Sequence, residues 1–99
     1  MATRVASRAD IPEGTGKTVD LAGKKIALFN VGGKFYAIDN TCKHRGGPLG
    51  EGTLDGTVVT CPWHGWEYDV TSGINLDDEK VKVGCHAVKL EGDDILIEN

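Results

Sequence analysis

Two short stretches carry residues able to bind a metal: Cys42-Lys43-His44, and Cys61-Pro62-Trp63-His64, with 16 residues between His44 and Cys61. Each offers one thiolate and one imidazole, so together they supply four soft or borderline donors. One Cys-x-x-His alone is weak, but the repeated mixed pair is specific. Three centres take such donors. Structural zinc accepts two cysteines and two histidines, yet its usual spacing pairs like with like, and here each pair is mixed. A mononuclear iron or copper site normally brings in carboxylates, a thioether or fewer thiolates. A two-iron cluster bridged by sulfides remains, each loop giving one ligand to each iron, the cysteines on one metal and the histidines on the other.

Such loops need a rigid frame. Six of the 14 glycines (46, 47, 50, 52, 56, 65) and two of the three prolines (48, 62) fall between residues 42 and 66, which predicts two tight loops there. Glycine allows positive φ and lets backbone N–H groups approach a bound anionic centre. Elsewhere the texture is short apolar alternation. "KTVDL" (17 to 21), "KKIALFNV" (24 to 31) and "KFYAID" (34 to 39) read as strands joined at Ala22-Gly23 and Gly32-Gly33. "TVVT" (57 to 60) leads into the second loop, and "HAVKL" (86 to 90) and "DILIE" (94 to 98) flank a turn at Glu91-Gly92-Asp93. No window of a dozen residues keeps apolar positions at helical spacing, so the expectation is all-β.

Composition narrows the class. Ninety-nine residues, 39% hydrophobic, suit one domain over 1–99. A net charge of −4 argues against nucleic acid. No run has the length of a signal peptide's apolar core or of a membrane helix, so the expectation is a soluble, cytoplasmic protein. Three cysteines (42, 61, 85) make a poor disulfide scaffold and fit a reducing compartment.

With "CKHRGGPLGEG" and "CPWHGWEYDVTSG" in view, the sequence resembles the Rieske iron-sulfur family along essentially its whole length. The resemblance implies the Rieske fold, an antiparallel β-sandwich carrying a small cluster-binding subdomain (about 41–70) made of two glycine-rich loops. It also implies a 2Fe-2S cluster with Cys42 and Cys61 on the inner iron and His44 and His64 on the outer one through Nδ1. Neutral imidazoles in place of two thiolates raise the potential, to about −150 to +300 mV across the class. Respiratory-complex members carry two further cysteines tying the loops and a serine after the second histidine. Gly47, Trp63 and Trp66 stand at those places here. Fewer hydrogen bonds to sulfur place this chain at the low end, as in oxygenase-associated ferredoxins, although Tyr68 matches a tyrosine that donates to a cluster cysteine in high-potential members.

The function this implies is one-electron carriage from a flavin-dependent reductase to a terminal oxygenase, by a monomer without a catalytic site of its own. A bound small subunit of a larger redox enzyme, such as a nitrite reductase, is the alternative, and a zinc-stabilised binding module is the alternative of another class. Trp63 and Trp66, with Pro48 and Leu49 opposite, are expected to shield the cluster, and Trp66 to be core. Cys85 is expected to be a small buried hydrophobe, His86 a surface or hydrogen-bonded strand residue, and Asp77-Asp78-Glu79 a solvated loop. Lys43 and Arg45 are either a basic patch for a partner or solvated charges. "GTGKT" (14 to 18) is a decoy, since Ile11 stands where a P-loop needs glycine.

Overall fold

In the computed structural model, which describes residues 2–42, 47–63 and 65–98, the described chain forms ten strands. They are β1 (Ala2–Ser7), β2 (Gly16–Leu21), β3 (Lys24–Val31), β4 (Lys34–Asp39), β5 (Thr53–Asp55), β6 (Val58–Thr60), β7 (Glu67–Asp69), β8 (Cys85–His86), β9 (Val88–Glu91) and β10 (Asp94–Glu98). Two single turns of 3₁₀ helix, at 8–10 and 49–51, are the helical content among the described residues. The all-β expectation is met. The strands pair antiparallel in three sheets, ordered β1-β10-β9, β2-β3-β4-β8 and β5-β6-β7.

The central sheet explains the unbroken apolar run in β3. Ile26 and Leu28 point to one side, into a core with Val19, Leu21, Phe35, Ala37, Ile95 and Ile97. Ala27 and Phe29 point to the other, into a second core with Ile38, Leu49, Val59, Tyr68 and Val70. Successive side chains face opposite ways, so a sheet covered on both faces needs apolar residues at consecutive positions. The first core is the sandwich between the central sheet and β1-β10-β9. The second joins the central sheet to the three-stranded sheet that bears the cysteines.

The predicted hairpins at Ala22-Gly23 and Gly32-Gly33 form with both central residues at positive φ, the conformation that matches strand twist. Ala22, at φ 50°, is the one described non-glycine residue there. "HAVKL" is not one strand. β8 pairs with β4 and β9 pairs with β10, so the chain passes from one sheet to another at Ala87. This is how a single segment closes the sandwich at a corner. β1, β5 and β7 form where the sequence had suggested no strand.

Cys85 departs from its expected place: it is exposed, with its Sγ 3.7 Å from the Thr71 carbonyl oxygen. On β8, at the sheet's edge, Cys85 pairs directly with Ile38 and shares its face of the sheet, but stays exposed where Ile38 is fully buried. His86 is hydrogen-bonded, as expected. Its Nε2 lies 2.8 Å from Asp39 Oδ1, which also takes Lys24 Nζ at 3.0 Å, while Asp39 Oδ2 accepts the Gly84 N–H at 2.9 Å. Desolvation raises the Asp39 carboxyl, but the bonds from His86, Lys24 and Gly84 outweigh it and hold the group below its ordinary 3.8. A carboxyl that ionises more easily folded than unfolded adds stability above about pH 4 and loses it as the pH falls further. Acid unfolding curves should therefore show the wild type losing more stability below pH 4 than Asp39→Asn does.

Candidate metal centre

Each cysteine opens a loop that its own backbone pinches shut. The Cys42 N–H donates to the Gly47 carbonyl at 3.0 Å, and the Cys61 N–H donates to the Trp66 carbonyl at 2.7 Å. In both loops the bond spans five residues. His44 and His64 fall by number within these two segments, but both lie outside the described residues, as do Lys43 and Arg45.

The first loop is anchored by Asn40, at the end of β4. Its carbonyl accepts the Leu49 N–H at 2.7 Å, and its Oδ1 accepts the Gly50 N–H at 2.8 Å and the Thr18 hydroxyl at 3.1 Å. Asn40 is buried, so these bonds satisfy a polar group that would otherwise be costly. Gly50 leaves the room this requires: a Cβ there would stand 2.5 Å from Thr18 Oγ1 and 2.9 Å from Asn40 Oδ1. Asn40 was not singled out in the sequence. The signal that could have found it is an Asx residue between a strand and a glycine-rich loop, where side-chain bonds to backbone N–H groups are common.

The second loop rises from β6, whose pairing with β7 sets Val59 opposite Tyr68 and Thr60 opposite Glu67. Gly65 takes φ 75°, a turn that other residues adopt only under strain.

These supports bring the two cysteines together. Both are 2% exposed, and their side chains are in hydrogen-bonding contact. Burial pushes the Cys61 thiol up, the Trp63 backbone N–H works against this, and the adjacent Cys42 adds to the rise. Two buried thiols side by side resist ionising unless a cation compensates them, which is what a metal does for its thiolate ligands. Gly47 completes the cradle. A Cβ there would lie 2.7 Å from Cys61 Sγ and 3.2 Å from Trp63 Cβ, so the chain passes against the sulfur where a side chain would fill the space. Positions 47 and 63 thus face each other, as the resemblance implied, without a disulfide to join them. The thiol pair and its cradle fit an iron-sulfur centre.

The surrounding shell is mostly apolar. Leu49 is fully buried in the core with Cys42 and Cys61, and Trp66 packs against that core half-buried, in line with its expected place. Pro48 is half-buried, whereas Trp63 is 50% exposed and covers less of the site than expected. Tyr68 is fully buried with its hydroxyl 3.5 Å from Cys42 Sγ. Opposite a thiolate, only the tyrosine can donate.

A family model described as the Rieske [2Fe-2S] domain matches residues 1–95. The chain is 36% identical over 90 residues to the ferredoxin component of the naphthalene 1,2-dioxygenase system of Pseudomonas aeruginosa, covering 90% of this chain and 86% of that one. It is 39% identical over 92 residues to the 3-phenylpropionate/cinnamic acid dioxygenase ferredoxin subunit of Escherichia coli K12, covering 91% and 86%. Among solved structures, it superposes at a TM-score of 0.88, with 33% identity over 97% of this chain and 91% of the other, on a chain of the complex of reduced oxygenase and oxidized ferredoxin in carbazole 1,9a-dioxygenase. Pinched loops, paired buried thiols and relatives of near-equal length converge: the chain belongs to the Rieske [2Fe-2S] domain family.

Proposed function

We propose that this protein is a one-electron carrier that passes electrons from a flavin-dependent reductase to a terminal oxygenase and has no catalytic site of its own. Cys42, Cys61, His44 and His64 would hold a 2Fe-2S cluster, Cys42 and Cys61 from the buried side. Such a cluster takes up one electron and gives it back without rearranging its ligands. The observation that carries the reading is the meeting of Cys42 and Cys61, buried and in contact, at the mouths of two loops that each also carry a histidine. The ferredoxin names of its relatives support the carrier role, and a ferredoxin-like chain found with its oxygenase supports the choice of acceptor. Cytoplasmic placement belongs to the same proposal. No helix among the described residues is long and apolar enough to cross a membrane.

The chain's own residues set how the electron is held. The apolar wall of Leu49, Val59, Tyr68 and Trp66 keeps water from the sulfur side, which disfavours the more negative, reduced state. The Tyr68 hydroxyl opposes this by donating to Cys42. Tyr68→Phe should lower the midpoint potential by about 40 mV, since about 1 kcal/mol of differential hydrogen bonding corresponds to that for one electron. Film voltammetry of the two proteins measures it, and the wild-type midpoint near neutral pH should be negative.

The function itself is tested by anaerobic titration with dithionite, followed in the visible. One electron per chain should bleach the protein, and adding an oxidised oxygenase of a ring-hydroxylating system should restore the colour. A colourless protein containing zinc would contradict the proposal.

A further inference from the structure

We propose that Trp63, Leu76 and the turn Asp77-Asp78-Glu79 form a docking surface for a redox partner whose contact face is apolar at its centre and basic at its edge. The inference rests on the electron-carrier reading above. Four large hydrophobic residues are exposed among the described ones: Trp63 at 50%, Ile74 at 37%, Leu76 at 50% and Leu90 at 40%. Leu90 lies on β9, in a different sheet. The other three lie on or beside the sheet that bears the second loop. Trp63 is in that loop itself. The Leu76 N–H donates to the carbonyl of Glu67 at 3.0 Å, and Glu67 pairs with Thr60, the residue before Cys61. Leu76 therefore stands beside the strand end from which the second loop springs.

The acidic turn is held in place. Asn75, 4% exposed, turns inward between Ile74 and Leu76, and its Oδ1 accepts the N–H groups of Asp77 at 2.8 Å and Asp78 at 3.0 Å. These bonds fix where the three exposed carboxylates are presented. No ion pair among the described residues involves Asp77, Asp78, Glu79 or the neighbouring Glu67. Three lysines elsewhere are matched to acids: Lys24 to Asp39, Lys25 to Asp20 and Lys89 to Glu91. Lys80 leaves residues 76–80 at a net charge of −2, and Lys82 bridges Ile74, further from the cysteines. An apolar spot with an unneutralised acidic shoulder complements a basic rim, and such charge matching raises the rate of encounter more than the lifetime of the complex, as suits a carrier. A second copy of this chain would instead bring two acidic turns into one small contact.

The test uses mitochondrial cytochrome c, a basic one-electron acceptor, mixed in stopped flow with the dithionite-reduced protein. Each ferric haem that becomes ferrous accounts for one electron lost by the reduced protein. The second-order rate constant should fall steeply with ionic strength. Asp77→Asn/Asp78→Asn/Glu79→Gln should lower it about three- to tenfold at low salt and flatten that dependence. A control of equal charge change on exposed acids outside the sheet that bears the second loop, Glu13→Gln/Asp20→Asn/Asp93→Asn, should lower it far less. Leu76→Ser, with an unchanged visible spectrum, should lower the rate at every ionic strength without altering the salt slope. If the two triple variants behave alike, or if Leu76→Ser matches the wild type, the docking surface is wrong while the carrier reading stands. A wild-type protein that takes up no electron would overturn both.

Discussion

Cys61→Ser is expected to give a colourless protein holding less than about a tenth of the wild-type iron, and Cys85→Ser a protein with its full complement. Cys61 is 2% exposed and in contact with Cys42, so its loss removes half of the thiol pair from a site with no water to replace it. A serine hydroxyl is a harder donor that does not ionise near neutral pH, and a buried one lacks even solvent to help. Cys85 is exposed, with its Sγ close to the Thr71 carbonyl, away from both loops. Iron and acid-labile sulfide per chain in the two purified variants measure the contrast. Because a tightly bound centre stabilises only the folded state, Cys61→Ser should also melt at a lower temperature than the wild type, and chelation of the wild type should reproduce that shift.

Gly47→Ala is expected to be nearly as severe. The added methyl would meet Cys61 Sγ at 2.7 Å and Trp63 Cγ at 3.1 Å. The Trp63 side chain has room to move, but Cys61 does not, because its own N–H is tied to Trp66 and its sulfur is buried. Overpacking of this kind costs about 1–3 kcal/mol, and here the displaced atom is a proposed ligand, so iron content should fall together with stability. Gly56→Ala provides the comparison. It changes a glycine at φ 61° with nothing within 4 Å of the new Cβ, so it should cost about 1 kcal/mol of backbone strain and leave the iron in place. Thermal unfolding and iron analysis of the two variants should separate a steric effect at the sulfur from a general loss of glycine.

Much of the site was legible because ligand chemistry is local. Cys42 and Cys61 could be paired from their spacing to two histidines, and the glycines and prolines around them marked the loops. Tyr68 drew notice only through the family resemblance, which also set Gly47 apart from the other loop glycines, and the structure sets each beside a cysteine sulfur. Asn40 escaped because its role depends on Gly50 and Thr18, 10 and 22 residues away. In the fold, the long strands β2, β3 and β4 were readable from alternation and turn residues. β5 and β7 have three residues each, too few to show a period of two. β1 is as long as β2 and β4, but its sequence, ATRVAS, shows no apolar alternation and its partner, β10, is at the other end of the chain, so only the closed sandwich explains it. Cys85 was misjudged by residue type. Cysteines are usually buried, but β8 is a two-residue strand at the edge of its sheet, and Cys85 remains exposed there beside the buried Ile38.

The central claim is that two thiolates and two imidazoles bind the pair of irons. The most direct measurement is electron–nuclear double resonance on the dithionite-reduced protein made with nitrogen-15 histidine. The chain contains three histidines, and His86 is engaged with Asp39, so the account predicts couplings from two nitrogens, with one lost in His44→Ala or His64→Ala and none lost in His86→Ala. A spectrum with no histidine coupling, or one that changes in His86→Ala, would contradict it.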